Sequence, residues 1–154
     1  MTGRPTPSPE DRCEIEDLYN TYLWALDTRD IELYVGTFWD DALLKETQLD
    51  GAVETWTGAA SIRDFSAAHF GGYAGHQHRV SNLLYLPHPA RGAEGWRLSS
   101  YWFTSHREAD TGAVSFSSTG YSRDLVERRA GEWRFSLRWV ERWPGTVVHP
   151  LRES

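Results

Sequence analysis

The chain has 154 residues, of which 22 are acidic and 16 basic, so its formal charge is −6 at pH 7. This length predicts one domain that folds without a metal or disulfide, and the single cysteine, Cys13, excludes a disulfide framework and a multi-cysteine zinc site. The acidic balance argues against a nucleic-acid-binding face, and the absence of both a signal segment and an apolar run of ~20 residues predicts a cytoplasmic protein without a membrane span.

Helices dominate the prediction for the first half of the chain. The run Ser8-Pro9-Glu10-Asp11 predicts a helix start, with serine as N-cap and proline at the first helical position. Apolar residues at helical spacing follow: Ile15, Leu18, Tyr19, Tyr22, Leu23 and Leu26. Further along, we expect a short helix over 31–38, a hairpin of strands 42–49 and 52–57 around Asp50-Gly51, and a helix over 59–70 that ends at Gly71-Gly72.

Alternating patterns in the second half predict four strands, over 76–86, 95–108, 113–127 and 132–143. Along the last strand, one face is predicted to carry Trp133, Phe135, Leu137, Trp139 and Trp143, and the other Glu132, Arg134, Ser136, Arg138 and Arg142. Early helices and a late antiparallel sheet indicate an α+β fold. The expected organisation is a flexible leader over 1–9, one domain over 10–145 and a tail over 146–154.

Two groups of residues carry the candidate chemistry. Asp27 follows the buried stripe of the first helix, five residues after Tyr22, and is either a carboxylate turned into the interior or a solvated residue at a helix end. In the first of the four late strands, the alternation places His76, His78 and Asn82 on one face. These histidines are either site residues or ordinary structural or surface side chains. Two histidines can chelate a metal, but no third ligand is evident, so we predict no metal site.

Four segments together resemble the SnoaL-like family of the nuclear-transport-factor-2-like superfamily. They are EIEDLYNTYLWALDTRD, LYVGTFWDDA, HQHRVSNLLY and YSRDLVERRAGEWRFSLRWVERWPG, and the resemblance covers roughly residues 10–145. It implies a cone-shaped, curved antiparallel sheet packed against three helices and enclosing a pocket. Because this fold hosts many unrelated reactions, the resemblance indicates the fold more strongly than the reaction.

The nearest-looking members of that family are cofactor-free lyases: scytalone dehydratase, the bile-acid 7α-dehydratase and hexachlorocyclohexane dehydrochlorinase. They use a His–Asp pair, and Asp27 and His78 fall on those positions. The resemblance implies that His78 is the general base, that Asp27 orients its imidazole, and that Tyr22 binds an oxyanion or protonates a leaving hydroxyl. Which of His76 and His78 is the base stays open.

The resemblance implies a cofactor-independent dehydratase or isomerase acting on a hydrophobic cyclic or polyketide-like small molecule. A polyketide cyclase is the alternative within the family, and a non-catalytic ligand-binding or assembly subunit is the alternative outside enzymes. The substrate is expected to contact His76, Asn82, Trp24, Trp39, Trp56, Trp102, Phe116 and Tyr121. The 21 aromatic side chains would then partly line a cavity for a ring-bearing molecule. Family members mostly associate through the outer sheet face, so a homodimer or homotrimer is expected.

Overall fold

The first helix begins where the sequence predicts. The structure, a computed structural model, describes residues 4–146 and 150–151, so parts of the predicted leader and tail lie outside the described residues. Helix α1 spans Pro9–Thr28, and the Ser8 hydroxyl accepts a hydrogen bond from the Asp11 backbone N–H at 3.1 Å. This contact satisfies one of the backbone donors that a helix start leaves unpaired. The predicted apolar stripe is buried against the sheet, apart from the partly buried Leu23.

Replacing Ser8 with alanine is expected to lower the free energy of unfolding by about 1 kcal/mol, because the first turn of α1 loses its side-chain acceptor. Chemical denaturation of the wild-type and Ser8→Ala proteins measures this difference. Ser8→Asn is the matched control, since asparagine is an equally good N-cap. Equal destabilisation by both variants would contradict the capping role.

Two further helices complete the helical layer. Helix α2 covers Ile31–Gly36 after an Asp30 N-cap, and α3 covers Gly58–His69, followed by a 3-10 turn over Phe70–Tyr73. The prediction that α2 extends to residue 38 is wrong. Phe38 already begins strand β1, where it pairs with Phe135.

Six strands form one open sheet. They are β1 (Phe38–Thr47), β2 (Val53–Thr57), β3 (His76–Pro87), β4 (Gly95–Arg107), β5 (Val114–Arg129) and β6 (Glu132–Arg142). Their order is β2-β1-β6-β5-β4-β3. All neighbours are antiparallel except β1 and β6, which run parallel. The α+β class and the three packed helices are therefore confirmed, while the all-antiparallel pattern that the resemblance implied is wrong for this one pair.

The core lies between the helices and the inner face of the sheet, and aromatic rings fill much of it. Tyr22 packs on Tyr34, Phe38 and Phe135 with centroid separations of 5.0, 6.0 and 5.5 Å. Tilted and edge-on contacts of this kind are the arrangements that aromatic pairs prefer. Phe38 and Phe135 therefore pack as core, whereas Tyr22 and Tyr34 also reach the wall of the cavity described below.

Bulges interrupt three of the strands that were predicted to alternate regularly, β3, β5 and β6, and those in β3 and β6 change the predicted faces of candidate residues. In β3 the pairing with β4 shifts between Ser81 and Leu84, and Asn82 has a φ of +55°. In β6 the pairing with β5 shifts because Phe135 and Leu137 face consecutive residues of β5, which leaves Ser136 as an extra residue. A bulge of one residue reverses the faces of all the side chains beyond it.

Candidate active site

A cavity of about 210 Å³ lies between the inner face of the sheet and helices α1 and α3. Its wall combines apolar side chains such as Leu23, Leu26 and Phe65 with several ionisable ones. His76 and His78 enter from β3, Arg138 from β6 and Tyr22 from α1. An apolar pocket with a few convergent polar groups is the usual form of a small-molecule site.

Asp27 and His78 form a direct pair at this cavity. A carboxylate oxygen of Asp27 lies 2.7 Å from Nδ1 of His78, and the Asp27 carboxylate also accepts the His78 backbone N–H at 3.1 and 3.2 Å. Strand β3 is at the edge of the sheet, so this N–H needs a partner from outside the sheet. The last turn of α1 supplies it, which fixes both the backbone and the ring of His78.

The Asp27 contact also determines which nitrogen of His78 is basic. A carboxylate only accepts hydrogen bonds, so Nδ1 carries the proton that it receives and Nε2 holds the lone pair. Burial lowers the pKa of His78 and outweighs the hydrogen bond and charge of Asp27, which act in the opposite direction. The surroundings of His78 therefore favour the neutral imidazole, with its lone pair on Nε2.

Arg138 places a buried cation in the wall of the cavity. The residue is 2% exposed, its guanidinium pairs with the fully buried Asp124, and it lies 4.5 Å from the centroid of the Tyr22 ring. Burial alone would lower the pKa of Arg138, but the charge of Asp124 together with the contacts of Tyr22 and Tyr19 outweighs burial and holds the pKa above the usual range. The cavity therefore contains a permanent positive charge beside the Tyr22 hydroxyl.

A network of hydrogen bonds holds Asp124 under Arg138. Its carboxylate accepts from the Tyr19 hydroxyl at 2.5 Å, the Ser122 hydroxyl at 2.8 Å and the Trp139 backbone N–H at 3.1 Å. A buried ion pair is favourable only when such extra donors satisfy its remaining lone pairs. The network therefore fixes the position of the Arg138 guanidinium.

The sequence pattern placed Arg138 on the polar face of the last strand, away from Trp133 and Phe135, and that prediction is wrong. The bulge at Ser136 turns Arg138 to the inner face and Trp139 to the other, where its indole N–H donates to Thr47. Arg138 was missed as a site residue for this reason. No signal in the alternation marks the bulge.

The two histidines of β3 both line the cavity, but only one contacts the carboxylate. The His76 ring lies 6.2 Å from that of His78 and 4.5 Å from that of His106, which is its register partner on β4. His76 therefore continues the wall from His78 towards the start of β3. The contact with Asp27 distinguishes His78 from His76.

Of the other predicted contact residues, only Trp102 joins His76 in the cavity wall. Asn82 is exposed on the β3 bulge, so its expected position on one face with His76 and His78 is wrong. Trp24 and Phe116 are 68% and 78% exposed.

The three remaining aromatic residues lie outside the wall and have partners elsewhere. The Trp39 indole donates to the Glu127 carbonyl, and the Tyr121 hydroxyl donates to Glu141. Trp56 packs behind Phe65, with ring centroids 4.2 Å apart. Alternation and aromatic character therefore identify few of the side chains that line the cavity.

Within residues 4–146 and 150–151, no group of three or more His, Cys, Asp or Glu side chains is arranged to hold a metal ion. No helix in these ranges is both long and apolar enough to cross a membrane.

Comparison with known proteins identifies the fold and the domain family. The profile of the SnoaL-like domain family matches residues 7–138. A protein of unknown function with a cystatin-like fold from Nostoc punctiforme is 24% identical, covering 96% of this chain and 99% of its own, with a TM-score of 0.75. No curated protein matches the sequence.

Two solved structures from Novosphingobium aromaticivorans are also similar. The beta subunit of a candidate aromatic-ring-hydroxylating dioxygenase has a TM-score of 0.74 at 15% identity, covering 90% of this chain and 92% of its own. A candidate scytalone dehydratase has a TM-score of 0.70 at 18% identity, covering 94% and 95%. Identities this low indicate a shared fold and leave the reaction to the site.

Proposed function

The chain belongs to the SnoaL-like domain family, and from this premise we propose that it is a cofactor-independent enzyme that removes a proton from an activated carbon of a small cyclic substrate. The observation that carries the proposal is the 2.7 Å contact between Asp27 and His78 at the wall of a partly apolar cavity. A subunit that only binds or assembles has no need of an oriented, neutral imidazole in such a place.

The proposed reaction begins at Nε2 of His78. This nitrogen takes a proton from the carbon next to a carbonyl, and Asp27 stabilises the imidazolium that results. The carbonyl oxygen becomes an oxyanion as the proton leaves. The Tyr22 hydroxyl and the Arg138 cation are the groups of the wall suited to stabilise it, since donors held in place in a dry site act without reorganisation.

The cavity volume supports a small substrate. At about 210 Å³, the cavity lies below the range of about 300–1,000 Å³ that is typical of pockets for drug-sized ligands. A molecule with a single ring or two fused rings fits this volume better than one with a steroid skeleton. Elimination of water, a dehydratase reaction, is the outcome we propose. Isomerisation and cyclisation start from the same deprotonated carbon.

Hydrogen exchange tests the proposal without knowledge of the natural substrate. The bicyclic ketone α-tetralone, incubated with the protein in D₂O, is expected to take up deuterium next to its carbonyl faster than it does without protein, as followed by NMR. Equal rates with and without protein would overturn the proposal and favour a non-catalytic subunit.

The pH dependence of this exchange follows from the lowered pKa of His78. The free imidazole is the active form, so the rate is expected to fall as the pH drops through a value below the usual ~6.5 and to be level above it. The charged groups that act on His78 are Asp27 of α1, His76 of its own strand and Arg138 of β6. A measured midpoint above ~6.5 would show that Asp27 outweighs burial.

A further inference from the structure

Glu46 is an ionisable side chain of the cavity wall that the proposed reaction does not use. It lies on β1, where period-two alternation puts it on the inner face with the buried Ala42 and Leu44. Its register partner on β6 is Val140, which also lines the cavity. The side chain therefore enters the cavity from the wall formed by β1 and β6.

Glu46 and His78 face the cavity from different walls. Three strands (β6, β5 and β4) separate β1 from β3 in the sheet, yet side chains of both strands line one cavity. This is possible because the sheet curves around the cavity. A molecule bound there would contact the His78 imidazole on one side and the Glu46 carboxyl on another.

The surroundings of Glu46 favour a protonated carboxyl. Within the described residues, 4–146 and 150–151, its side chain makes no hydrogen bond or ion pair, in contrast to the paired carboxylates Asp27 and Asp124. Burial raises the pKa of Glu46, and the neighbouring Glu54 adds to this, whereas Arg142 and His69 act in the opposite direction. A carboxyl group without donors in a partly apolar wall is the type of group that serves as a proton donor.

We infer that Glu46 is the general acid of the site and that it protonates a leaving hydroxyl on the substrate. The inference rests on the proposed function, because it supplies the second proton transfer of an elimination. His78 Nε2 takes the proton from the carbon next to the carbonyl, and that electron pair forms the new carbon–carbon double bond. The carbon–oxygen bond breaks, and the leaving oxygen receives the Glu46 proton and departs as water. Proton transfer from His78 to Glu46 through solvent restores both groups.

The inference also assigns a chemical class to the substrate: a small cyclic β-hydroxy ketone or β-hydroxy thioester. Hydroxide is a poor leaving group, so its departure needs a proton, whereas an acetate ion leaves readily without one. The need for an acid therefore depends on the leaving group. Removal of the α-proton alone does not need it.

The test compares Glu46→Gln with the wild-type protein on three probes: α-tetralone for hydrogen exchange, a β-hydroxytetralone for loss of water and a β-acetoxytetralone for loss of acetate. Glutamine keeps the shape of the side chain but has no acidic proton. The matched control is Glu14→Gln, which removes an exposed carboxylate of α1 that does not line the cavity. Thermal unfolding of both variants checks that they are folded.

We expect Glu46→Gln to reduce loss of water by about 10²–10⁴-fold, the usual contribution of a positioned acid. The same variant is expected to exchange α-tetralone and to release acetate at close to wild-type rates. Glu14→Gln is expected to resemble wild type on all three probes. The inference is overturned if Glu46→Gln loses water as fast as the wild-type protein does. It is also overturned if the wild-type protein exchanges α-tetralone but does not catalyse loss of water. If the wild-type protein shows no exchange, the proposed function itself fails.

Discussion

Replacing Asp27 with asparagine is expected to slow hydrogen exchange of α-tetralone by about 10²–10⁴-fold while the protein stays folded. The reason is that the Asp27 carboxylate accepts two hydrogen bonds from His78, one from the backbone N–H and one from Nδ1. An asparagine amide has one oxygen and one NH₂ group. The carboxylate oxygen that contacts Nδ1 also accepts from the backbone N–H, so an amide in either orientation places its NH₂ group against one of these two donors. The uncharged amide also gives the imidazolium no stabilising charge, so His78 is a weaker base although it is still present.

His78→Ala removes the base directly and is expected to reduce exchange to the rate seen without protein. Asp17→Asn is the matched control for Asp27→Asn, because it removes one charge from an exposed position on the same helix. Its exchange rate should equal that of wild type. Wild-type exchange in both Asp27→Asn and His78→Ala would exclude the dyad mechanism.

Replacing Arg138 with methionine is expected to lower the free energy of unfolding by about 3–5 kcal/mol, because it leaves Asp124 as a buried, unpaired charge. Chemical denaturation measures this loss. The same variant removes the cation beside Tyr22, so hydrogen exchange should also fall. The surface pair Arg134–Glu132 provides the control, and Arg134→Met is expected to cost no more than about 1 kcal/mol.

A double variant separates the structural role of Arg138 from its role in the reaction. Asp124→Asn combined with Arg138→Met removes both charges, so a substantial part of the lost stability should return. The exchange rate should stay low, because the cation is still missing from the cavity. Recovery of exchange together with stability would show that Arg138 acts only by holding the fold.

Much of the fold follows from patterns that the sequence displays directly. The Ser8 cap, the apolar stripe of α1 and the alternation of the late strands depend on local chemistry, and the helices and strands form close to the predicted positions. Asp27 and His78 were identified through the resemblance. Their spacing alone favoured a solvated aspartate at the helix end and left the histidines open between a site role and a structural one.

The errors in the site prediction come from strand bulges and sheet curvature, which a hydrophobic pattern does not reveal. A single extra residue at Ser136 turns Arg138 inward, and the bulge at Asn82 turns that side chain out to solvent. Glu46 is one of several polar residues on a strand, and only the curvature of the sheet brings it to the same cavity as His78. Alternation predicts faces reliably only while the register is unbroken.

The parallel pair of β1 and β6 has a consequence for how the protein is made. Leu44 and Glu46 of the early strand pair with Arg138 and Val140 of the last one, so one wall of the cavity joins segments that are far apart in sequence. Contacts of high sequence separation form slowly, and during synthesis they must wait for the later segment. On the ribosome, the helices can form early, but the cavity closes only after β6 has emerged from the exit tunnel.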